Sequence, residues 1–517
     1  MIPVLTKEQA YKLDKDTIDS GHLSKEQLMD NAGKAIAQFF CEKINNPFSQ
    51  KVVVVCGKGN NGGDGVIAHS YLKYYGVSSK IIFTEQKSIH SKLFTKYKIS
   101  ETEYYILNDK TNFDEYDWII DGIFGIGLTG DIEGKYKKLL IEINKRDNVI
   151  GIDITSGAID FNDEIKTSKH TITFGFPKLG HYLNSTNNIH IADIGFCKLK
   201  KTKINKIEYL DILSIIKNTK TKKNVNKYDK GLAQIIAGSN KYFGAAILAS
   251  KAAKKTGTGY VKLFIDSSSS IIDEINSQNL EILIEAYDED LNQLPLSLNR
   301  SVLIGPGIEI ERVERILLNF STDRMYDDAG VFHDSAFDEE YDNWGDFIFD
   351  AGALSALRSL SIKKKINLLD ILPPRFILTP HSGEIASMFP PEGDETTYDF
   401  SYIEKIQKEL INVDCDCYKQ IIIYKSWNTF IITKDMIYIM DKGPSLLATA
   451  GTGDVLSGIL VSLLSQGYSR LEASILGTYL HAEAANYYMN NISKDGMTAS
   501  DLIDCIPMAF NILRNND

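Results

Sequence analysis

The run Lys51-Val52-Val53-Val54-Val55-Cys56 passes straight into Gly57-Lys58-Gly59-Asn60-Asn61-Gly62-Gly63-Asp64-Gly65, and an apolar helical pattern over residues 66–75 follows. A short β-branched run of this kind suits a strand buried on both faces, the habit of parallel sheets. Strand, glycine-rich loop and helix is also the arrangement in which a nucleotide phosphate meets a helix N-terminus. The loop is neither a Walker A sequence nor a spaced G-x-G-x-x-G fingerprint, because Asn60, Asn61 and Asp64 interrupt the glycines. Two amides and a carboxylate suit hydrogen bonds to ribose or amide groups, or a cation held by side-chain oxygens. A purely structural turn with Asn and Gly at positive φ is the alternative.

The pattern repeats along the chain. Residues 6–44 read as helical, with Thr6 a capping start, before the first strand. Strands are expected at 80–83, at 118–121 running into Gly122-Ile123-Phe124-Gly125-Ile126-Gly127-Leu128-Thr129-Gly130, and at 148–153 running into Ile154-Thr155-Ser156-Gly157. A strand at 171–174 and the segment 191–195 close this half. In a parallel sheet the carboxyl ends of the strands converge on one crevice, so Asp64, Asp121 and Asp153 are expected to share a site. Residues 198–230 are rich in lysine, interrupted by one amphipathic segment from Ile207 to Ile216, and read as a solvated linker. Beyond it the alternation restarts, with strands at 232–237, 302–304, 347–350, 376–379 and 421–425 and an alanine-rich helix at 245–255. The whole chain therefore reads as α/β, with one domain over residues 1–218 and a second over 219–517.

The last glycine-rich stretch, Ala448-Thr449-Ala450-Gly451-Thr452-Gly453-Asp454-Val455-Leu456-Ser457-Gly458, opens an apolar helix at 455–464. Free N–H groups at that helix start would face an anion. Asp454 is a poor phosphate ligand but is well placed to take a proton from a substrate hydroxyl beside the anion hole. The alternative is a helix cap on a glycine turn.

Composition narrows the partners. With 57 Lys and Arg against 68 Asp and Glu, the net charge of −11 argues against nucleic acid or an anionic membrane as the main partner. Six scattered cysteines make no disulfide framework, and Cys415-Asp416-Cys417 has no second pair or nearby His for zinc. The N-terminus shows no basic segment followed by a long apolar one, and no stretch reaches about 18 apolar residues. A cytoplasmic protein with reduced thiols is expected.

These motifs, taken in order, resemble the bifunctional NAD(P)H-hydrate repair enzymes, an N-terminal Rossmann-like epimerase fused to a C-terminal ribokinase-like dehydratase. The first half carries the resemblance in Asn60–Gly65, Asp121-Gly122-Ile123-Phe124-Gly125-Ile126-Gly127 and Gly151-Ile152-Asp153 with Ser156-Gly157. The second carries it in Lys230-Gly231, Ala237-Gly238-Ser239, Gly305-Pro306-Gly307, Thr379-Pro380-His381, Gly383-Glu384 and the 451–458 stretch. The resemblance implies small-molecule substrates, NADH-hydrate and NADPH-hydrate. It implies ADP or ATP as phosphate donor with magnesium, a potassium ion in the epimerase and a homo-oligomer.

Residue by residue, it implies Asp153 as the epimerase's proton-transfer group, with Asn61, Asp121 and Ser156 as potassium ligands. Asn60, Asn61, Gly62, Gly63 and Asp64, with Gly125, Ile126, Gly127, Leu128, Thr129, Gly130 and Asp131, match the epimerase substrate loops. In the dehydratase it implies Asp454 as base, and Ala245, Gly307, His381 and Asp454 against the hydrated cofactor. Lys425, Ser426, Trp427, Asn428 and Thr429, with Gly451, Thr452 and Gly453, match the nucleotide-binding positions. The chain departs from the family's pattern at Thr155 and Ser382, where proline is usual, and at Gly352, where a second Asp is usual. Tyr424-Lys425-Ser426-Trp427 replaces a Leu-Lys-Gly pattern, which leaves the choice of nucleotide open. The acidic stretch 320–346 reads as a surface loop. A kinase of a small alcohol and a nucleotide sensor with a decayed site are the other readings of the same loops.

Overall fold

The structure is a computed structural model. It describes residues 1–86, 90–128, 132–156, 169–183, 188–218, 226–266, 272, 280–287, 300–322, 345–373, 375–393, 400–412 and 420–515. The chain separates into two compact units, residues 2–204 and residues 205–517 together with Met1.

The first unit is built on seven strands: β1 (Lys51–Cys56), β2 (Ser78–Phe83), β3 (Tyr104–Ile106), β4 (Trp118–Gly122), β5 (Val149–Ile152), β6 (His170–Phe174) and β7 (Asn188–Ala192). They lie in the order β3-β2-β1-β4-β5-β6-β7, and every pairing is parallel. The chain steps outward one way from β1, then returns to its other side at β4, so the crevice beyond the ends of β1 and β4 is the switch point where such sheets bind ligands. The valines of β1 explain its place at the centre. Val52, Val54 and Cys56 pack with helices Lys25–Lys43 and Asn60–Tyr74 on one face. Val53 and Val55 pack against helix Gly134–Asn144 on the other. Period-two alternation of apolar residues on both faces is what a doubly covered strand requires.

Among the described residues, nine strands from Leu232 onward make up most of the second unit's sheet: β8 (Leu232–Ile236), β9 (Tyr260–Asp266), β10 (Leu283–Tyr287), β11 (Ser301–Ile304), β12 (Phe347–Phe349), β13 (Phe376–Leu378), β14 (Ile421–Lys425), β15 (Thr429–Ile432) and β16 (Ile437–Met440). Their order is β16-β15-β14-β13-β12-β11-β8-β9-β10. The pairings from β10 to β14 are parallel. The β14–β15 and β15–β16 pairs are antiparallel and form a meander at one side. Helices Phe243–Thr256 and Thr452–Ser465 pack closely on one face. A Cβ at Gly458 would stand 2.2 Å from the Ala249 carbonyl oxygen, so glycine and alanine are what let these backbones meet.

The fold is therefore α/β throughout, as expected, with three differences in detail. The Asn60–Gly65 stretch is not a loop before a helix; it forms the first turns of helix Asn60–Tyr74 itself. The expected linker is partly folded: helix Tyr209–Asn218 buries Ile212, Leu213 and Ile215 in the core of the second unit. The compact units accordingly divide at Ile204 and Asn205, earlier than the position the lysine content suggests. Residues 323–344 of the acidic stretch, and the Cys415-Asp416-Cys417 triplet, lie outside the described residues. Among the described residues no helix is long and apolar enough to cross a membrane.

Candidate active sites

In the first unit, the carboxyl ends of β1, β4 and β5 open onto a cavity of about 800 Å³ lined by Asn60, Asn61, Asp64, Gly125, Ile126, Gly127, Leu128 and Asp153. Asp153 follows β5 with φ 60°, a left-handed backbone that costs a non-glycine residue about 1–3 kcal/mol. Neighbours strap it there. Its N–H donates to the Ile172 carbonyl at 2.7 Å. Its carbonyl accepts from His181 Nε2 at 2.8 Å. His181 Nδ1 in turn accepts from the Lys178 N–H at 3.0 Å, which fixes the proton on Nε2. Burial, helped by the Lys178 charge, lowers the His181 pKa to about 4, so the ring is neutral.

The Asp153 carboxylate is ion-paired. Lys178 Nζ lies 2.5 Å from Asp153 Oδ1 and also donates to Thr173 Oγ1 and the Phe174 carbonyl, each at 3.0 Å. Thr173 Oγ1 and the Phe174 N–H donate to the same Asp153 oxygen at 3.1 and 3.3 Å. Three further carboxylates line the cavity, Asp14, Asp19 and Asp64. Burial foremost, then the charge of Asp153, raises Asp14 to about 6. Burial foremost, then Asp153 and Asp14, pushes Asp64 well above the ordinary carboxylate range.

Asp121 does not line this cavity, contrary to the expectation that three aspartates share it. It lies beneath, wholly buried, and burial raises its pKa to about 6. Asp121 Oδ1 accepts from the Ile123 N–H at 3.0 Å and from Ser156 Oγ at 2.8 Å. Asn61 Nδ2 donates to the carbonyls of Phe124 and Ile152 at 2.8 and 2.7 Å. Asn61, Asp121 and Ser156 thus meet under one loop. Glycine is required around them: a Cβ at Gly62 would stand 1.9 Å from the Gly57 carbonyl oxygen, and one at Gly125 would stand 2.6 Å from Asn61 Oδ1. Thr129, Gly130, Asp131 and Gly157 lie outside the described residues.

In the second unit, Gly451 caps helix Thr452–Ser465 in left-handed backbone and offers no side-chain cap; the Thr452 N–H donates to the Thr449 carbonyl at 3.3 Å, and the next N–H groups of the first turn are open to an anion. A Cβ there would stand 2.7 Å from Leu248 Cδ1, a second demand for glycine. Thr452 is pinned, its hydroxyl donating to the Leu447 carbonyl at 2.7 Å and its carbonyl contacting His481 Nε2 at 2.8 Å. Burial lowers the His481 pKa to about 4, so this ring too is neutral.

Lys425, the last residue of β14, reaches this helix start: a Cβ on Gly453 would lie 3.4 Å from Lys425 Nζ. Lys425 Nζ pairs with Asp350 Oδ1 at 3.2 Å, and Ser457 Oγ donates to Asp350 Oδ2 at 2.5 Å. Asp454 is raised to about 7, by burial first and then by the charge of Asp350, with Lys425 opposing. His381 sits beside β14 through a bridge to Lys425. It caps helix Ser382–Met388, its Nδ1 accepting from the Gly383 N–H at 3.0 Å. Ala245 and Gly307 are neighbours, since a Cβ on Gly307 would lie 3.1 Å from Ala245 Cβ. Ser426, Trp427 and Asn428 form the turn into β15, which starts at Thr429; Trp427 is exposed and Asn428 buried. At Gly352 a Cβ would meet the Ile308 carbonyl oxygen at 2.4 Å, so this backbone has no room for the aspartate usual in the family.

Several residues of these sites escape the sequence reading. Lys178, His181 and Asp14 sit on elements separated along the chain from Asp153, and His481 is one of several polar residues in helix Arg470–Asn491. Nothing in local spacing marks them.

Fold and sites together define a fusion of two α/β enzyme domains, each gathering glycine-rich turns and buried carboxylates at the carboxyl ends of its strands. Comparison with known proteins is specific. Residues 233–508 match the family model described as NAD(P)H-hydrate dehydratase, and residues 25–180 match the model of the YjeF-related protein N-terminus. A bifunctional NAD(P)H-hydrate repair enzyme of Dictyoglomus turgidum is 30% identical over 539 residues, covering 98% of both chains. One from Thermofilum pendens is 26% identical over 540 residues, covering 98% of this chain and 95% of its own. An NAD(P)H-hydrate epimerase of Entamoeba histolytica is 33% identical over 193 residues, covering 35% of this chain and 86% of its own. Among solved structures, an ADP/ATP-dependent NAD(P)H-hydrate dehydratase of Bacillus subtilis, co-crystallised with ATP and Mg2+, is 22% identical with a TM-score of 0.47, covering 60% of this chain and all of that one. The chain belongs to the bifunctional NAD(P)H-hydrate repair enzymes, with an N-terminal epimerase domain and a C-terminal dehydratase domain.

Proposed function

We propose that the cavity beyond β1, β4 and β5 interconverts the R and S hydrates of NADH and NADPH through Asp153. The Asn60–Asp64 turn and the residues from Gly125 to Asp131 would hold the substrate. The Lys178 ammonium and the Thr173 hydroxyl fix the carboxylate that exchanges the proton. Asn61, Asp121 and Ser156 suit a potassium ion, because a fully buried carboxylate beside a hydroxyl and an amide oxygen is the donor set of a hard cation. Bound there, the ion would offset the Asp121 charge and tie the loops after β1, β4 and β5 together.

In the second unit we infer a nucleotide-dependent dehydration of the S-hydrate. Hydroxide leaves poorly, so phosphate is first transferred to the hydroxyl, and elimination of phosphate then restores the reduced ring. With ADP as donor the products are AMP and phosphate. Asp454 takes the hydroxyl proton. The first-turn N–H groups after Gly451, with Lys425, offset the charge of the transferred group, as phosphoryl transfer demands. Magnesium would accompany the nucleotide's phosphates. Residues 425–429 would contact the nucleotide, and Ala245, Gly307 and His381 the hydrated cofactor.

The observation that carries this reading is Asp454 raised to about 7 at an uncapped helix start beside Lys425: a base poised near neutrality next to an anion hole. The test is recovery of the reduced-nicotinamide absorbance from mixed R and S NADH-hydrate with ADP, with ATP and with neither. Full recovery with one nucleotide is expected. Recovery stopping at the S fraction would exclude a working epimerase, and none with either nucleotide would exclude the dehydratase.

A further inference from the structure

We propose that Asp64 is the acid that works opposite Asp153 in epimerisation, giving a proton to the departing oxygen while Asp153 takes one from the entering water. This rests on the epimerase reading of the first unit and adds to it a second proton-transfer residue.

Three observations carry it. Asp64 is more than nine-tenths buried yet lines the cavity, and it makes no hydrogen bond to any described residue. A carboxyl group placed this way, without a donor to satisfy it, is held in its neutral form by the cost of burying an unpaired charge. Second, Asp64 and Asp153 stand on different supports: Asp64 on the helix after β1, Asp153 on the turn after β5, with β4 between those strands. A flat ring over the end of β4 would have one carboxyl group on each side. Third, their surroundings are opposite in kind. Asp153 has the Lys178 ammonium and two further donors, whereas Asp64 faces Asp153 and Asp14, with only Lys25 opposing. Below it on β1 is the Cys56 thiol, and beside Gly63 is the His90 ring. An unpaired buried carboxyl group facing an ion-paired one is the usual mark of an acid and base pair.

The chemistry balances with these two groups. The hydroxyl-bearing ring carbon adjoins the ring nitrogen. Its C–O bond breaks as the oxygen takes the Asp64 proton and leaves as water, and the nitrogen lone pair forms the C=N bond of an iminium ion. Water then adds to the other face, its oxygen forming the new C–O bond while the nitrogen recovers its lone pair and Asp153 receives the released proton. The net change is inversion plus one proton moved from Asp64 to Asp153. The opposite epimer uses the same groups in reverse, and solvent resets them.

The experiment uses the full-length protein and pure R-hydrate, following conversion to the S form, and the dehydration of pure S-hydrate in parallel. Asp64→Asn should lower kcat for epimerisation by about 100-fold or more with little change in KM, and leave dehydration intact. Wild-type protein in 18O water should label the inverted hydroxyl at the rate of inversion. Its epimerisation should fall as pH rises beyond the ordinary carboxylate range, because the acid is then spent. Should Asp64→Asn fail to fold, this alkaline fall decides. An Asn variant as fast as wild type, or a wild-type profile without the alkaline fall, would overturn the role of Asp64. Failure of the wild type to epimerise at all would instead overturn the epimerase reading.

Discussion

The two candidate sites use the same parts in different pairings. Each has a strand end, a glycine-dependent turn, a carboxylate proposed to move a proton, and a lysine. In the first unit the lysine is given to that carboxylate directly, Lys178 Nζ lying 2.5 Å from Asp153. In the second, Lys425 is given to a different carboxylate, Asp350, and Asp454 is left raised to about 7. One site keeps a charged pair in place. The other leaves its base sensitive to protonation near neutral pH. Where the lysine points, rather than whether one is present, decides which chemistry a buried aspartate can serve.

Breaking either half should leave the other standing. The largest effect is expected from Asp454→Asn, which should lower nucleotide-dependent dehydration by about 10³-fold or more while R to S conversion proceeds, both followed on separated epimers. Dehydration surviving in that variant would dismiss Asp454 as the base. Lys178→Met should be next, reducing epimerisation by about 100-fold. It should also destabilise the first unit by about 3 kcal/mol, since it leaves the Asp153 charge buried and unpaired; a thermal melt and the same epimer assay check both.

The pH dependence should differ between the sites in sign-defined fashion. A raised Asp454 is protonated below about pH 7, so dehydration kcat/KM should fall about tenfold per pH unit beneath that point and level off above it. Asp350→Asn should move that inflection to lower pH, because the negative charge that raises Asp454 is gone and Lys425 is released toward it. An inflection that stayed put would mean that Asp350 does not set the Asp454 charge state. The smallest effect is expected from exchanging potassium for a bulky tetraalkylammonium ion, with a several-fold loss of epimerisation and none of dehydration.

The sequence made one level of this arrangement legible and hid another. The strand into glycine-rich turns at Cys56, Gly122 and Ile152, and the helix start at Gly451, are local patterns, and all four could be read directly. Strands β3 and β10 could not, because they are short and partly exposed, with no buried apolar run to announce them. The antiparallel β14–β15–β16 meander was hidden for a related reason: the tight turn from β14 into β15 carries residues read as part of the nucleotide segment. The partners that define the charge state, Lys178 for Asp153 and Asp350 for Lys425, are 25 and 75 residues away along the chain. Their pairing is a property of strand order, which no spacing rule encodes. Asp121 shows the same limit from the other side. Its position at a strand end was readable, but not that Ser156 and Ile123 turn it inward beneath the cavity.

Helix Tyr209–Asn218, whose Ile212, Leu213 and Ile215 pack in the second unit's core, bears on how this gene could be divided. The lysine-rich stretch around it invites a cut just after Asn218. Such a cut would leave the dehydratase half with an uncovered apolar seam, the kind of surface that aggregates or recruits chaperones. It would also leave the epimerase half trailing a helix with nothing of its own to fold against, an open target for proteolysis. A split that keeps the helix with the downstream half respects both cores, so the safe junction is set by the contacts of two isoleucines and a leucine rather than by where the charges cluster.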